Sequence, residues 1–207
     1  IIFCGAVIAG ALSELNNVIP IPKRAADLFK QLEENYSRQV EAITNIRSFG
    51  DYIISLFMIA LLPAVFEETF FRGGMQNLLT RSGKNPWLAI LATSCIFSII
   101  HLSYYGFLAR VCLGIVLGLL YYYSGSLWVS ITAHFFNNAF AVTQMYILIR
   151  KGRSVKEAMD DTMPFWWGLI ALVVIYFLFM LFKKISAAVK KRYTSPEDKA
   201  LEEKWIA

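Results

Sequence analysis

The chain reads as all-α, a polytopic transmembrane helix bundle with five full spans and a truncated helix ahead of them. Three observations lead there. Of the 207 residues, 57% are hydrophobic, above the roughly 45–50% apolar share of soluble domains, and the mean hydropathy is +0.52. Charged residues make up only 17%, clustered outside the apolar runs. Five of those runs approach the roughly 20 residues a helix needs to cross a bilayer.

Ile1–Leu12 is apolar but too short to span alone, and no basic stretch precedes it as in a secretory leader. Residues 1–15 are expected to be the remnant of a transmembrane helix. Residues 16–50 differ. Pro20 and Pro22 break the chain, and then Ala25, Phe29, Leu32, Tyr36, Val40 and Ile43 recur at steps of three or four between Lys, Glu, Arg and Gln. That is an amphipathic connecting helix, expected on the membrane surface or over the bundle. A lid or substrate-guiding element is the sharper alternative.

The full spans are read as Tyr52–Leu79, Trp87–Tyr104, Phe107–Tyr123, Leu127–Ile149 and Phe165–Phe182. The first is long enough to tilt. Turn-forming residues separate them: Ser82-Gly83-Lys84-Asn85-Pro86, Tyr105-Gly106 and Ser124-Gly125-Ser126. Residues 51–150 thus form a core, 151–182 a loop and last span, and 183–207 a basic and then charged tail. No internal repeat is evident.

The net charge of +5 does not point to nucleic acid, because the basic residues flank apolar spans and fit the cytoplasmic positive bias. Lys183, Lys184, Lys190, Lys191 and Arg192 place the tail in the cytoplasm. The Arg81/Lys84 loop then lies inside as well, and residues 150–163 outside. Arg150, Lys151, Arg153 and Lys156 oppose that last assignment, and Asp160 and Asp161 do not offset them. The tail SPEDKALEEKW carries no chemistry. Cys4, Cys95 and Cys112 are odd in number, lie in apolar runs and form no CxxC, so they read as small apolar fillers.

Polar groups inside the oiliest segments are the functional signal. An ionisable side chain at membrane depth costs roughly 2.5–3.5 kcal/mol on insertion scales, so it marks a candidate site. Glu68 and Arg72 are four apart and share a helix face, which suits a supporting ion pair. The adjacent Glu67 is then left to face the bundle as a candidate general base. His101 follows Phe97 by one turn on the next span. His134 and Asn138 share a face, and two inward donors suit stabilisation of an oxyanion. Taken singly, each group also fits a buried ion pair, a core histidine or interhelical polar contacts. Together they match peptide hydrolysis by activated water, with Glu67, His101, His134 and Asn138 catalytic and Glu68 and Arg72 supporting.

No cofactor is expected. Zinc on Glu67, His101 and His134 is the alternative, although HExxH spacing is absent. A small transporter using the same residues, or a non-catalytic membrane scaffold, are the rival classes. Depth raises a difficulty. At about 1.5 Å per residue, Glu67 measured from Leu79 lies about 9 Å deeper than His134 measured from Leu127. Convergence would follow if the uncharged turn 123–127 dipped into the bilayer.

EETFFR at Glu67–Arg72, FSIIH at Phe97–His101 and HFFNN at His134–Asn138 fit EExxxR, FxxxH and HxxxN motifs. In order and spacing they resemble the CPBP family of intramembrane proteases, also called the Abi or CAAX-protease family, over about Tyr52–Ile149. The resemblance implies a helical membrane bundle with a cavity opening within the bilayer. It implies glutamate-type proteolysis, with Glu67 and His101 activating water and His134 with Asn138 forming the oxyanion hole. The implied partners are a membrane-associated peptide or protein substrate and the lipid bilayer, not nucleic acid. The chain's short length fits the bacterial members, which implies a plasma-membrane location.

Overall fold

The computed structural model describes residues 1–18, 22–43, 46–104, 106–152 and 165–193, and no strand occurs among them. Pro20, Tyr105, Arg153, Lys156, Asp160, Asp161 and the SPEDKALEEKW tail lie outside the described residues, as do the side chains of Val40, Ile43 and Arg192. The helices are α1 Ile2–Val18, α2 Lys23–Ile43, α3 Phe49–Gly83, α4 Pro86–Ile99, α5 Phe107–Ser124, α6 Leu127–Arg150 and α7 Phe165–Tyr193.

Local chemistry explains the helix ends. A capping box opens α3. Asp51 N donates to Ser48 Oγ at 3.1 Å and Ser48 N donates to Asp51 Oδ2 at 2.8 Å. The helix therefore begins at Phe49, three residues ahead of the apolar run. Lys84 ends it in the left-handed conformation (φ 51°). Asn85 then caps α4, its Oδ1 accepting from Trp87 N and Leu88 N, with Pro86 at the first helical position. Gly125, at φ 68°, closes α5.

Two stretches of α3 are π-helical, Leu56–Leu61 and Thr69–Gln76. Such wider turns are rare and gather at functional sites. Pro63 sits just after the first. It has no N–H to give the carbonyl of Ile59 four residues back, and Asn138 of α6 donates there instead through Nδ2, at 3.5 Å.

Helix α6 runs antiparallel along α3, and the register can be followed residue by residue. The Tyr52 hydroxyl meets Thr143 Oγ1 at 2.9 Å, and its ring stacks on Tyr146. Ile59 meets Asn138, and Glu68 meets His134 at 2.9 Å. A Cβ on Gly73 would lie 3.6 Å from Leu127 Cδ2. Leu127 is therefore level with Gly73, six residues short of Leu79, which is about 9 Å of helical rise. This staggered start of α6 accounts for the difference in depth between Glu67 and His134.

Helix α5 stands between two packed groups. On one side Val116, Leu117 and Leu120 form an apolar core with Ile8 of α1 and Ala171 and Ile175 of α7. On the other side Gly114 and Gly118 admit α4. A Cβ on Gly114 would come within 2.8 Å of Ser94 Cβ, and one on Gly118 within 3.0 Å of Ile90 Cγ2. This is the close contact that glycines four apart permit between membrane helices.

The radial pattern is inverted relative to a soluble protein. Glu68, Arg72, Gln76, Ser94, Ser98 and His134 are buried, while Phe66, Phe70, Trp128, Trp166, Tyr176 and Phe177 are exposed. Polar side chains turned inward and apolar ones outward is what a hydrocarbon solvent favours.

Three helices are long and apolar enough to cross a membrane, Phe49–Gly83, Phe107–Ser124 and Trp166–Lys191. The five-span expectation is not met in full. Helix α4 has only 14 residues, about 21 Å of rise. Helix α6 is long enough, but Ser130, Thr132, His134, Asn137, Asn138, Thr143 and Gln144 dilute its hydropathy. The N-terminal apolar stretch, Ile2–Leu12, is likewise shorter than a span.

Candidate active site

The site is built where α3, α4 and α6 meet. Glu68 and Arg72, one turn apart on α3, form an ion pair at 2.8 Å with neither side chain exposed. Arg72 Nη2 donates onward to the Gly114 carbonyl of α5 at 3.1 Å, and its guanidinium lies 5.2 Å from the Phe97 ring centre. The pair thus pins α3 to both neighbours. A charged pair at this depth depends on such additional contacts, and here they are incomplete, since Glu68 Oε2 and Arg72 Nε are buried without a hydrogen-bond partner among the described residues.

Glu68 has a second partner that the spacing along α3 does not reveal. His134 Nδ1 donates to Glu68 Oε1 at 2.9 Å. This bond fixes the ring and turns Nε2 towards Glu67, whose Oε2 is 3.8 Å away. That gap is too long for a hydrogen bond. Glu67 is the accessible member of the acidic pair, with its side chain 29% exposed against 0% for Glu68. The two carboxylates therefore have different environments: one locked in an ion pair, one unbonded at the edge of the site.

His101 ends α4. Its Nδ1 lies 2.7 Å from the Phe97 carbonyl, and a carbonyl can only accept, so Nδ1 carries the proton and Nε2 is free to accept in the neutral ring. The Phe97 ring touches both imidazoles, with centroids 4.9 Å from His101 and 6.0 Å from His134. Asn138 lies one turn beyond His134 on α6. Besides its long bond to Ile59, its Oδ1 accepts from Asn137 Nδ2 at 3.3 Å.

The structure thus joins Glu67, Glu68, Arg72 and His134 directly, brings His101 in through Phe97, and holds Asn138 against the π-helical turn of α3. Among the described residues, no group of three or more His, Cys, Asp or Glu side chains is arranged to hold a metal ion. Residues that motif reading passes over also serve the site. Gln76, one turn after Arg72 on the same face, is buried and donates to the Gly118 carbonyl at 3.1 Å. Arg72 and Gln76 therefore grip successive turns of α5, and the four-residue steps from Glu68 to Arg72 to Gln76 are the signal that marks them. Ser98 Oγ donates to the Phe107 carbonyl at 2.8 Å, tying the end of α4 to the start of α5.

The family model described as "Rce1-like: Type II CAAX prenyl endopeptidase Rce1-like" matches residues 49–140, somewhat less than half of the chain. No curated protein and no solved structure matches the chain. The matched segment holds all six candidate residues and two helices apolar enough to cross a membrane, and its likeness is to the type II CAAX prenyl endopeptidases.

Proposed function

We propose that the chain is an intramembrane endopeptidase that hydrolyses a peptide bond in a membrane-associated or lipidated peptide or protein, using water activated by Glu67. In this reading α4 and α6 are embedded in the bilayer with α3, α5 and α7, and the lysines of α7 face the cytoplasm. Glu67 takes a proton from water, and His101 Nε2 helps hold that water. The oxygen adds to the substrate carbonyl carbon. His134 Nε2–H, from a ring protonated on both nitrogens, and Asn138 Nδ2–H donate to the resulting oxyanion. The C–N bond then breaks as the proton held by Glu67 passes to the amine.

The observation that carries this reading is the position of the Glu67 carboxylate, unbonded and partly exposed, 3.8 Å from an imidazole that a buried ion pair holds in place. Asn138 Nδ2 has a second hydrogen beyond the one directed at Ile59.

The test is cleavage of a membrane-peptide library, prenylated CAAX peptides included, by the detergent-purified chain. Wild type and Glu67→Gln are compared, each with and without a zinc chelator. Cleavage that survives chelation and is lost in a folded Glu67→Gln supports the mechanism. Cleavage abolished by chelation and restored by zinc overturns it in favour of metal ligation by Glu67, His101 and His134.

A further inference from the structure

Helix α2 presents Phe29, Glu33 and Tyr36 at spacings of four and three, so all three lie on one face. That face is docked on the turn that follows His101. The Phe29 ring stacks on Tyr104, with centroids 4.3 Å apart and planes 5° from parallel. Glu33 Oε2 accepts from Ser103 Oγ at 2.8 Å. The Arg110 guanidinium lies over the Tyr36 ring, 5.6 Å from its centre. Arg110 also donates through Nη2 to the Ser103 carbonyl at 2.8 Å, so Ser103 is held from two sides. Its hydroxyl is used twice, since Gly106 N donates to the same Oγ at 3.3 Å.

The turn these contacts hold is unusual. His101 N and Leu102 N still bond back to Ser98 and Ile99, and then Leu102 adopts φ 50°, the left-handed region that a branched side chain seldom enters. Such a conformation persists only when its surroundings impose it, and here the surroundings are Ser103, Tyr104 and Arg110 with the α2 face behind them. The residue immediately before the strained position is His101.

We propose that α2 is a clamp that sets the orientation of His101, with Glu33 and Ser103 as positioning residues for it. The proposal rests on the peptidase reading for its consequence but not for its geometry. When Glu33 holds Ser103, the turn keeps Leu102 left-handed and His101 Nε2 stays directed into the site. When the contact is lost, the turn relaxes and the imidazole leaves that orientation while α3 and α6 keep His134 in place.

The chain contains only two histidines, so selective ¹⁵N-histidine labelling of the full chain in detergent gives two sets of ring signals, and His101→Gln assigns them. Glu33→Leu and Ser103→Ala are expected to shift the His101 signals and leave those of His134 unmoved. Glu33→Gln, which keeps an acceptor oxygen, is expected to leave both unmoved. In parallel, Glu33→Leu is expected to lower kcat on a cleaved membrane peptide by about 10- to 100-fold, the scale of a misplaced catalytic group, with KM nearly constant and Glu33→Gln close to wild type. Unmoved His101 signals in Glu33→Leu and Ser103→Ala overturn the proposal whatever the activity. So does movement of both histidines together, which would report a disturbed bundle rather than a clamp. Shifted His101 signals in a chain that cleaves nothing support the clamp and remove the peptidase reading, so the two failures are distinguishable.

Discussion

Glu68 Oε1 receives His134 Nδ1 at 2.9 Å across helices 66 residues apart in sequence, while also receiving Arg72 from its own helix at 2.8 Å. One carboxylate oxygen therefore supports both the helix that carries the acidic pair and the imidazole facing it. Removing the carboxylate alone leaves Arg72 charged and fully buried. Glu68→Leu is expected to cost about 3–5 kcal/mol, the usual result of breaking one half of a buried pair. Glu68→Leu combined with Arg72→Leu is expected to cost much less than the sum of the two single changes. Unfolding of the four proteins in detergent measures this, and additive losses would show that the pair is not coupled.

Asn138 and Glu68 differ in what their removal should do. Asn138 is partly buried and makes only long hydrogen bonds, at 3.3 and 3.5 Å, so its contribution to folding is small. If it donates to an oxyanion, Asn138→Ala is expected to lower kcat by about 10²–10³ with little change in melting temperature. Steady-state kinetics on a cleaved membrane peptide checks this. A proportionate rise in KM at constant kcat would assign Asn138 to substrate binding instead.

Some of this was legible in the chain and some was not, for physical reasons. The four-residue spacing of Glu68 and Arg72 is a local property, and the two residues are paired at 2.8 Å. Lys84-Asn85-Pro86, Gly106 and Gly125 mark real helix ends because caps and left-handed conformations are chosen by one or two residues. The Ser48/Asp51 capping box is equally local, but the apolar run pointed three residues further on. The second partner of Glu68 is a tertiary contact and leaves no trace in spacing. The π-helical turns depend on what packs against α3, with Pro63 as the single local hint. The polarity that makes α6 catalytically interesting is what hides it as a span, since Asn137, Asn138 and His134 lower its hydropathy.

Gly114 and Gly118 let α4 lie against α5, and their carbonyls accept from Arg72 and Gln76. Gly114→Ala would place a methyl group 2.8 Å from Ser94 Cβ and 3.1 Å from its Cα, where the backbone cannot yield easily. It is expected to cost about 1–3 kcal/mol, the range for overpacking, and to weaken the Arg72 contact as α4 moves away. Gly83→Ala, with nothing within 4 Å, serves as the matched control and should be near neutral. Equal effects at the two positions would mean that the close approach of α4 to α5 does not matter to stability.

Pro63 connects the backbone of α3 to the candidate oxyanion donor. Because proline has no N–H, the Ile59 carbonyl is open to Asn138. Pro63→Ala supplies that missing donor from within the helix. The substitution is expected to leave stability unchanged or to raise it, since an interior proline ordinarily costs a helix about 3 kcal/mol. It is also expected to lower kcat, because α-helical bonding at Ile59 competes with Asn138 and shortens the wider turn that faces α6. A gain in melting temperature together with a loss of turnover would mark Pro63 as a residue kept for the site at the expense of the helix. If Pro63→Ala cleaves as fast as wild type, the Ile59–Asn138 contact has no part in placing the amide.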